Sequence, residues 1–229
     1  MIQENLNNIK KQITDICLNI DRDPKSVVLV NVSKTKPISI LEEGYEAGMR
    51  IFGENKVQEI CDKYEQFKKE DIKWHMIGHL QRNKVKYIVD KVDLIHSVDS
   101  YRLAEAISKE AKKKNVVAHI LIQVNVAQEE SKYGLETKDV MDMVRSIHQL
   151  EHLKIEGLMT IAPFVDDPEE NRPIFKALYQ LSVDIKEQNL DNVSMDVLSM
   201  GMTNDFKVAI EEGATMIRIG TALFGDRNY

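Results

Sequence analysis

Residues 27–48 read VVLVNVSKTKPISILEEGYEAG: a short apolar run rich in β-branched residues, then a polar turn, then a longer helical pattern. The apolar run has the length and composition of a strand that is buried on both faces, as the strands of parallel sheets are. The pattern that begins at Ile38 is typical of a helix. This segment therefore predicts a βα unit, in which the helix covers the sheet.

The same alternation of strand and helix continues along the whole chain. Eight strand signals are separated by seven helical ones, and most of the strands are continuous apolar runs. The last two helices between strands are predicted over residues 168–189 and 204–213. The predicted strands cover residues 27–32, 51–55, 72–78, 93–98, 118–126, 154–162, 194–201 and 215–225.

Eight βα units with short connections predict a closed barrel. Right-handed βα repeats can close on themselves at eight strands, and 229 residues suffice for one such barrel. An open doubly wound sheet is the alternative, but it needs a glycine-rich loop before its first helix, and SKTKPIS contains no glycine. We therefore predict an α/β fold, a single (β/α)8 TIM barrel that forms one domain over residues 1–229.

A further helix is predicted before the first strand. Apolar residues recur there at steps of three and four, which places them on one face of a helix. They are Leu6, Ile9, Ile13, Ile16 and Ile20. We expect an N-terminal helix within residues 1–21, packed on the barrel.

Composition and charge narrow the classes of function. The formal net charge of -6 and the pI of about 5.6 argue against a nucleic-acid interface, which needs a basic face. The two cysteines give no disulfide framework, and His75 and His79 straddle a strand and its loop, so no metal site is expected. No run approaches the roughly 18 apolar residues of a membrane span, and no signal peptide is recognised. We expect a cytoplasmic monomer that binds no membrane.

Lys34 lies where the first strand should end. An amine among apolar residues loses hydration, which favours its neutral form and makes it a candidate nucleophile for a carbonyl. Repulsion from Lys36, two residues further on, acts in the same direction. The plain alternative is a solvated lysine at a strand end. The segment alone leaves both explanations open.

The loops after the seventh and eighth strands are rich in small and hydroxyl-bearing residues. Phosphate groups in such barrels are commonly held at this place. Ser199 and Thr203 offer hydroxyls, while Gly201 and Gly220 permit close approach to backbone N–H groups. Each also has a local explanation, since Thr203 can cap the next helix and Gly220 can form a tight turn. Together they favour an anion site.

Arg218 lies within the apolar strand MIRIG, where a guanidinium needs a partner or a polar ligand. The alternative is a buried salt bridge with a barrel carboxylate such as Glu54. A lysine on one part of the rim and an anion site on another suggest a ligand with both a carbonyl and a phosphate. Pyridoxal phosphate fits that description.

Five motifs at the strand ends make the chain resemble a known family. VSKTKP, FGEN followed by VQE, WHMIGHLQRNK, SMGMTND and RIGTALFG, in this order, resemble the pyridoxal phosphate homeostasis protein family, which is related to the N-terminal domain of alanine racemase. The resemblance implies a Schiff base between Lys34 and the cofactor pyridoxal 5′-phosphate (PLP). It also implies that Arg218 approaches the pyridine nitrogen. The residues implied around the phosphate are Ser199, Thr203 (in place of an expected serine), Gly220 and Thr221.

The resemblance implies a role in PLP homeostasis, in which the protein buffers the cofactor or delivers it to PLP-dependent apoenzymes. An arginine beside the pyridine nitrogen disfavours its protonation and so weakens the ring as an electron sink. Related racemases also use a tyrosine from a C-terminal domain, which is not expected in this chain. Binding without turnover is therefore expected. The alternatives are an amino-acid racemase in which His79 or Tyr133 assists Lys34, and a Schiff-base aldolase acting on a sugar phosphate.

Four further residues are expected near the cofactor. Asn55 of FGEN is expected to position Lys34 or the ring, and Lys36 and His79 are candidates for a supporting role. Lys132 resembles a family lysine that handles the cofactor. It belongs to a polar loop, residues 128–134, that could fold over the rim. An exposed polar loop is the simpler explanation.

Overall fold

The computed structural model describes residues 1–129 and 132–225, and this part of the chain contains a closed barrel of eight parallel strands. Each strand pairs with the next, and the last pairs with the first, with Val30 opposite Arg218. The predicted (β/α)8 barrel is therefore confirmed. The strands are β1 (Val28–Val32), β2 (Ile51–Glu54), β3 (Lys73–Met76), β4 (Leu94–Val98), β5 (Ala118–Gln123), β6 (Leu153–Met159), β7 (Val193–Ser199) and β8 (Met216–Ile219).

Within the described residues, nine α-helices precede, connect and follow these strands. They are α1 (Ile2–Asn19), α2 (Ile38–Glu46), α3 (Val57–Gln66), α4 (Val85–Ile88), α5 (Tyr101–Lys113), α6 (Thr137–Ile147), α7 (Arg172–Lys186), α8 (Phe206–Glu211) and α9 (Thr221–Phe224). The first of them is the predicted N-terminal helix. In the same part of the chain, no helix combines the length and the apolar character that crossing a bilayer requires.

The barrel wall separates two apolar clusters. Five buried side chains from five different strands meet inside the barrel: Val30, Leu94, Leu121, Met159 and Met216. The larger cluster fills the space between the strands and the helices and includes Phe52 and Phe175. Because successive side chains of a strand point to opposite faces, the position of a residue along its strand decides which cluster it joins. Each fully buried side chain of this size contributes about 1.5–3 kcal/mol to folding.

The main boundary difference from the prediction concerns the last strand. The sequence predicts a strand over 215–225, whereas β8 ends at Ile219 and Thr221–Phe224 form a helical turn. Leu223 in that turn is fully buried, so a helix buries the apolar residues that suggested a strand. The helix predicted over 168–189 is shorter, since a 3₁₀ turn precedes α7, and the one predicted over 204–213 shrinks to α8.

Two predicted segments reach beyond the described residues. The polar loop predicted at 128–134 includes residues 130 and 131, and the predicted domain includes residues 226–229; these six residues lie outside the part of the chain that the structure describes.

The N-terminal helix packs where the barrel closes. α1 contacts α2, α8 and α9, which flank the junction of β8 with β1. The side chain of Asn5 donates a hydrogen bond to the backbone oxygen of Leu223 at 3.0 Å. The apolar face predicted from the spacing of Leu6, Ile9 and Ile13 is the buried face of this helix. α1 thereby supports the loop that follows β8.

Candidate functional site at the carboxyl ends of the strands

A cavity of about 440 Å³ opens at the carboxyl ends of the strands. Binding and catalytic sites of βα barrels lie at this end. Residues that follow β1, β2, β3, β6, β7 and β8 line it. Six of the seven residues predicted to hold the cofactor line this cavity: Lys34, Asn55, Thr203, Arg218, Gly220 and Thr221. Lys36, one of the predicted supporting residues, lines it too.

Lys34 lies in the turn after β1 and is partly buried at the wall of the cavity. Thr35, the next residue, has a left-handed backbone with φ of 65°, which is uncommon for a β-branched residue. The Thr35 N–H donates to Oε1 of Glu59 at 2.5 Å. On the other side, the Ser33 hydroxyl donates to Oε1 of Glu54 at 2.5 Å. Carboxylates therefore hold both neighbours of Lys34.

Lys63 of α3 joins these two carboxylates on the outer side of the barrel wall. Its Nζ donates to Oε1 of Glu54 and of Glu59, both at 2.7 Å, and to the backbone oxygen of Ser33 at 2.8 Å. Oε2 of Glu54 is buried and has no hydrogen-bond partner among the described residues. Burial raises the pKa of Glu54 to about 7, against the lowering effect of Lys63 and Ser33. Since Glu54 pairs with Lys63, the alternative of a salt bridge to Arg218 is wrong.

Lys36 connects the loop after β1 with the segment after β8. Its amine donates to the backbone oxygens of Phe224 at 3.1 Å and Gly225 at 3.3 Å. Both Lys36 and Gly225 line the cavity. The repulsion of Lys34 by Lys36 stays a prediction, but this contact gives Lys36 a structural role at the rim.

Asn55 lines the cavity after β2, and Gly78 fixes its backbone. A Cβ atom on Gly78 would lie 2.3 Å from the backbone oxygen of Asn55 and 2.6 Å from its Cα. No side-chain movement can relieve such a clash, because the atoms it would meet belong to the backbone. The glycine of the WHMIGH motif is therefore needed for the close approach of these two loops.

Asp205 organises the loop that carries Thr203. Its Oδ1 accepts a hydrogen bond from the Met202 N–H at 2.7 Å, and its Oδ2 accepts one from Nδ2 of Asn171 at 2.9 Å. Asn171 also donates to the backbone oxygen of Pro163 at 2.9 Å. These bonds tie the loop after β7 to the loop after β6. Sequence reasoning missed Asp205, although an aspartate just before a helix is a capping signal.

Thr203 is exposed at the cavity and does not cap the next helix. α8 begins at Phe206, and Asp205 occupies the N-cap position. The loop is kept close to the helix at Gly201, whose φ is 91° and whose Cβ, if present, would lie 2.6 Å from Cβ of Ala209. A larger residue would therefore strain the backbone and push the loop away from α8. Thr203, in the loop after β7, and Thr221, the first residue of α9, both line the cavity and offer it hydroxyl groups.

Arg218 is buried within the barrel and lines the floor of the cavity. Its Nη1 donates to the Ser199 hydroxyl at 2.7 Å, and its Nη2 donates to the backbone oxygen of Thr160 at 2.8 Å. Burial lowers the pKa of Arg218 to about 10, so the side chain is still a cation at neutral pH. Ser199 is fully buried and is not among the residues that line the cavity. Its place around a phosphate stays a prediction, and the bond from Arg218 to its hydroxyl does not favour it.

Two buried histidines extend this network away from the cavity. Nδ1 of His96 lies 3.0 Å from the Ser199 hydroxyl, and Nε2 of His96 lies 3.0 Å from Nδ1 of His75. Since Arg218 can only donate, the Ser199 hydroxyl can donate in turn to His96, which then donates to His75. Burial lowers the pKa of His75 to about 3 and holds that of His96 well below its usual range, so both rings are neutral.

Sequence reasoning considered His75 only as a metal ligand and missed His96. The signal was a histidine inside an apolar strand on the same face as Ser199 and Arg218, which becomes visible only when the strands are placed in the barrel. In the part of the chain that the structure describes, no three His, Cys, Asp or Glu side chains are grouped as metal ligands.

The structure places two of the predicted supporting residues, His79 and Lys132, outside the cavity lining. The His79 ring is partly exposed and stacks on Tyr133, with 4.0 Å between the ring centroids. Lys132 donates to Oε1 of Glu129 at 2.6 Å. These residues form a separate surface beside the barrel mouth.

The barrel and the cavity at its rim are features of a class of proteins, and comparison of the sequence with known families shows which class this is. The model of the family described as alanine racemase, N-terminal domain, matches residues 2–228, and the chain belongs to this family. The alanine racemase of Clostridium difficile 630 is 13% identical with a TM-score of 0.77, and the match covers 100% of this chain and 57% of the racemase chain. At this identity the likeness concerns the fold alone.

Nearer relatives narrow the class. A protein of Aquifex aeolicus named pyridoxal phosphate homeostasis protein is 45% identical over 226 residues, 99% of this chain and 98% of its own. The structure of PipY from Synechococcus elongatus PCC7942 with PLP bound is 35% identical with a TM-score of 0.85, and the match covers 98% of this chain and 100% of PipY. The chain is thus a member of the pyridoxal phosphate homeostasis protein family, which confirms the resemblance found in its motifs.

Proposed function

We propose that this protein binds PLP covalently through Lys34 and acts in PLP homeostasis, by buffering the cofactor or delivering it to PLP-dependent apoenzymes. Its family and the PLP in the related PipY structure support the proposal. The observation that carries it is the convergence of Lys34, Arg218 and the hydroxyl-bearing loops on one cavity.

The groups around the cavity fit the chemistry of PLP. Lys34 offers an amine to the aldehyde, and Thr203 and Thr221 offer hydroxyls to the phosphate. Ile77 supplies apolar surface of the kind that suits the face of an aromatic ring. Arg218 places a donor at the floor, where a ring nitrogen can accept a hydrogen bond. Cation, hydroxyl and apolar groups are thus arranged around one small volume.

Each residue has a defined task in binding. PLP supplies an aldehyde and an electron-accepting ring when it is bound. The neutral amine of Lys34 attacks the aldehyde carbon, a C=N bond forms and one molecule of water leaves, in a reaction that water can reverse. Arg218 remains charged and can only donate, so it keeps a proton off the pyridine nitrogen. The Ser199 hydroxyl accepts a hydrogen bond from Arg218 and holds it in place.

The arrangement supports binding rather than turnover. Racemisation needs a second group, besides Lys34, to transfer a proton on the opposite face of the substrate. His79 and Tyr133, the candidates for that group, stack on each other outside the cavity lining. Measuring the D-enantiomer formed from L-alanine by the PLP-loaded protein separates the two functions. Turnover above roughly 1 s⁻¹ would favour a racemase.

The covalent link is tested by trapping it. Reduction of the PLP-loaded protein with borohydride, followed by peptide mapping, is expected to label Lys34. Lys34→Ala should abolish the reducible label, whereas the matched variant Lys36→Ala should keep it. A label on any other lysine of the wild type would contradict the proposal.

We also propose that residues 1–229 act as one domain and as a monomer. The closed barrel gives the described residues one continuous outer core, as a single folding unit requires. Light scattering in solution is expected to give a mass near 26.3 kDa with and without PLP. A mass near twice that value would show a dimer instead.

A further inference from the structure

We propose that Lys63, Glu54 and Glu59 form a positioning cluster that sets the direction in which the Lys34 amine enters the cavity. The inference rests on the proposed covalent binding through Lys34. None of the three lines the cavity, so they act on the cofactor only through the backbone around Lys34. They are positioning residues and not catalytic ones.

Three hydrogen bonds connect the cluster to the two residues that flank Lys34. Two of them involve Ser33, whose hydroxyl donates to Glu54 at 2.5 Å and whose backbone oxygen accepts from Lys63 at 2.8 Å. The third joins Thr35 to the cluster: its backbone N–H donates to the Glu59 carboxylate at 2.5 Å. The peptide groups on both sides of Lys34 are therefore fixed, and with them the direction of its Cα–Cβ bond.

The backbone of Thr35 needs such support. A β-branched residue with φ of 65° is in a sparsely populated conformation, which persists only where the surroundings enforce it. The Glu59 carboxylate binds the N–H of this residue, and its other contact, with Lys63, keeps the carboxylate in place. The turn that presents Lys34 is thus enforced from behind the barrel wall.

The chemistry of the cluster is more specific than packing requires. Lys63 is only 5% exposed and directs its three N–H donors at three separate acceptors. Apolar residues of similar volume stabilise a core at least as well as a buried ion pair does. Two of the acceptors belong to Ser33 and to the carboxylate that binds Thr35. The need to hold the turn around Lys34 therefore explains why these buried residues are polar.

Glu59 gives the sharpest test, because its two functions can be separated. Glu59→Gln keeps an oxygen that can accept from the Thr35 N–H, whereas Glu59→Ala removes it. Glu65→Ala, on the exposed side of α3, is the matched control. Two probes are used with each variant: PLP, for the rate of formation of the borohydride-reducible link, and pyridoxine 5′-phosphate, whose hydroxymethyl group cannot form the link, for noncovalent affinity.

If the cluster positions Lys34, its loss should slow formation of the covalent link with PLP and leave the noncovalent affinity for pyridoxine 5′-phosphate nearly unchanged. Glu59→Ala should slow link formation by about tenfold, the scale of effect that slight misplacement of a reacting group produces. Its affinity for pyridoxine 5′-phosphate should stay within twofold of wild type, and Glu59→Gln and Glu65→Ala should behave as wild type with both probes. Circular dichroism verifies that each variant is folded.

Other outcomes overturn the inference. Equal losses with both probes would make the cluster a general structural element, and an unchanged rate in Glu59→Ala would show that it does not position Lys34. If Glu59→Ala fails to fold, Glu59→Gln is compared with Lys63→Met, since only the latter removes the bond to the backbone oxygen of Ser33. Slower link formation in Lys63→Met than in Glu59→Gln would support the inference, and equal rates would overturn it. Failure of the wild type itself to form a link at Lys34 would instead contradict the proposed function.

Discussion

Two buried cations lie on opposite sides of the barrel wall, and the chain compensates them in opposite ways. Lys63, outside the wall, binds two carboxylates and a carbonyl. Arg218, inside the wall, binds a hydroxyl and a carbonyl, and the network behind it ends in neutral histidines. The three donors of the lysine are all satisfied by the protein itself. Within the described residues, the arginine donates hydrogen bonds to neutral groups, and the buried carboxylate of Asp205 offsets its charge only in part, through space.

This difference separates structural from binding electrostatics. A buried cation that is hydrogen-bonded to carboxylates has little remaining attraction for a ligand, whereas one that is hydrogen-bonded to neutral groups still attracts an electron-rich group. The position of each cation relative to the wall thus matters more than its residue type. Removing each cation in turn tests whether the two regions differ as described.

The largest effect on stability is expected from Lys63→Met. The substitution leaves Glu54 and Glu59 without their cation, and breaking a buried pair by removing one partner destabilises a protein by about 3 kcal/mol. Urea denaturation of the wild type and the variant measures the loss. Lys68→Met, which removes an exposed lysine three residues after Glu65, should change stability by less than about 0.5 kcal/mol. Equal stability of both variants would mean that the cluster contributes nothing to folding.

The pH dependence of stability should have opposite signs in the two regions. His75 has a folded pKa of about 3 against an ordinary value of 6.5, so the unfolded chain binds more protons between these values. Its contribution is complete above pH 6.5 and is lost as the pH falls toward 3, by up to about 1.4 kcal/mol per pH unit. Glu54, with a pKa raised from 4.5 to about 7, contributes stability that declines as the pH rises through that range.

Replacing either titrating group by a residue that does not titrate should weaken the dependence of stability on pH in the range where that group titrates. His75→Asn, which keeps an acceptor for His96, should reduce the acid-side slope of the urea midpoint, and Glu54→Gln should reduce the decline between pH 4.5 and 7. The exposed His79→Asn serves as control. If both variants retain the wild-type profile, the buried groups do not titrate as their burial indicates.

The smallest effect on stability is expected from Arg218→Met. The two charge-assisted bonds to Ser199 and Thr160 correspond to roughly 3 kcal/mol, but the variant no longer has to desolvate a guanidinium, so a net loss of about 1 kcal/mol is expected. The apparent affinity for PLP should fall about tenfold, the equivalent of one hydrogen bond from a charged group, although Lys34 still forms the link. Urea denaturation and titration with PLP measure the two effects. The exposed Arg102→Met should change neither, and a stability loss as large as that of Lys63→Met would contradict the distinction between the two cations.

The fold was predictable from sequence because its signal is local. Each βα unit carries its own β-branched run and helical pattern, and the loop SKTKPIS excluded the open sheet. The end of β8 was not predictable in the same way, since TALF is apolar enough for a strand and becomes a helix only through the burial of Leu223.

The site was predictable where its residues follow the strands, and less so within them. Lys34 and Asn55 lie in loops after their strands, Thr221 begins α9 shortly after β8, and the cavity brings the three together. Continuous apolar strands do not reveal which side chains face inward. The sequence therefore could not show that Ser199 turns to Arg218, that Glu54 turns outward to Lys63, or that His96 completes the inner network.

The pairing of β1 with β8 has a consequence for folding during synthesis on the ribosome. Lys34 leaves the ribosome well before Arg218 and Thr221, yet all three line one cavity beside the seam between these strands. A nascent chain therefore has no complete cavity until the last strand closes the ring. Cofactor capture would then report on finished barrels, and it would stabilise them selectively, because a ligand that binds only the closed form shifts the folding equilibrium toward it.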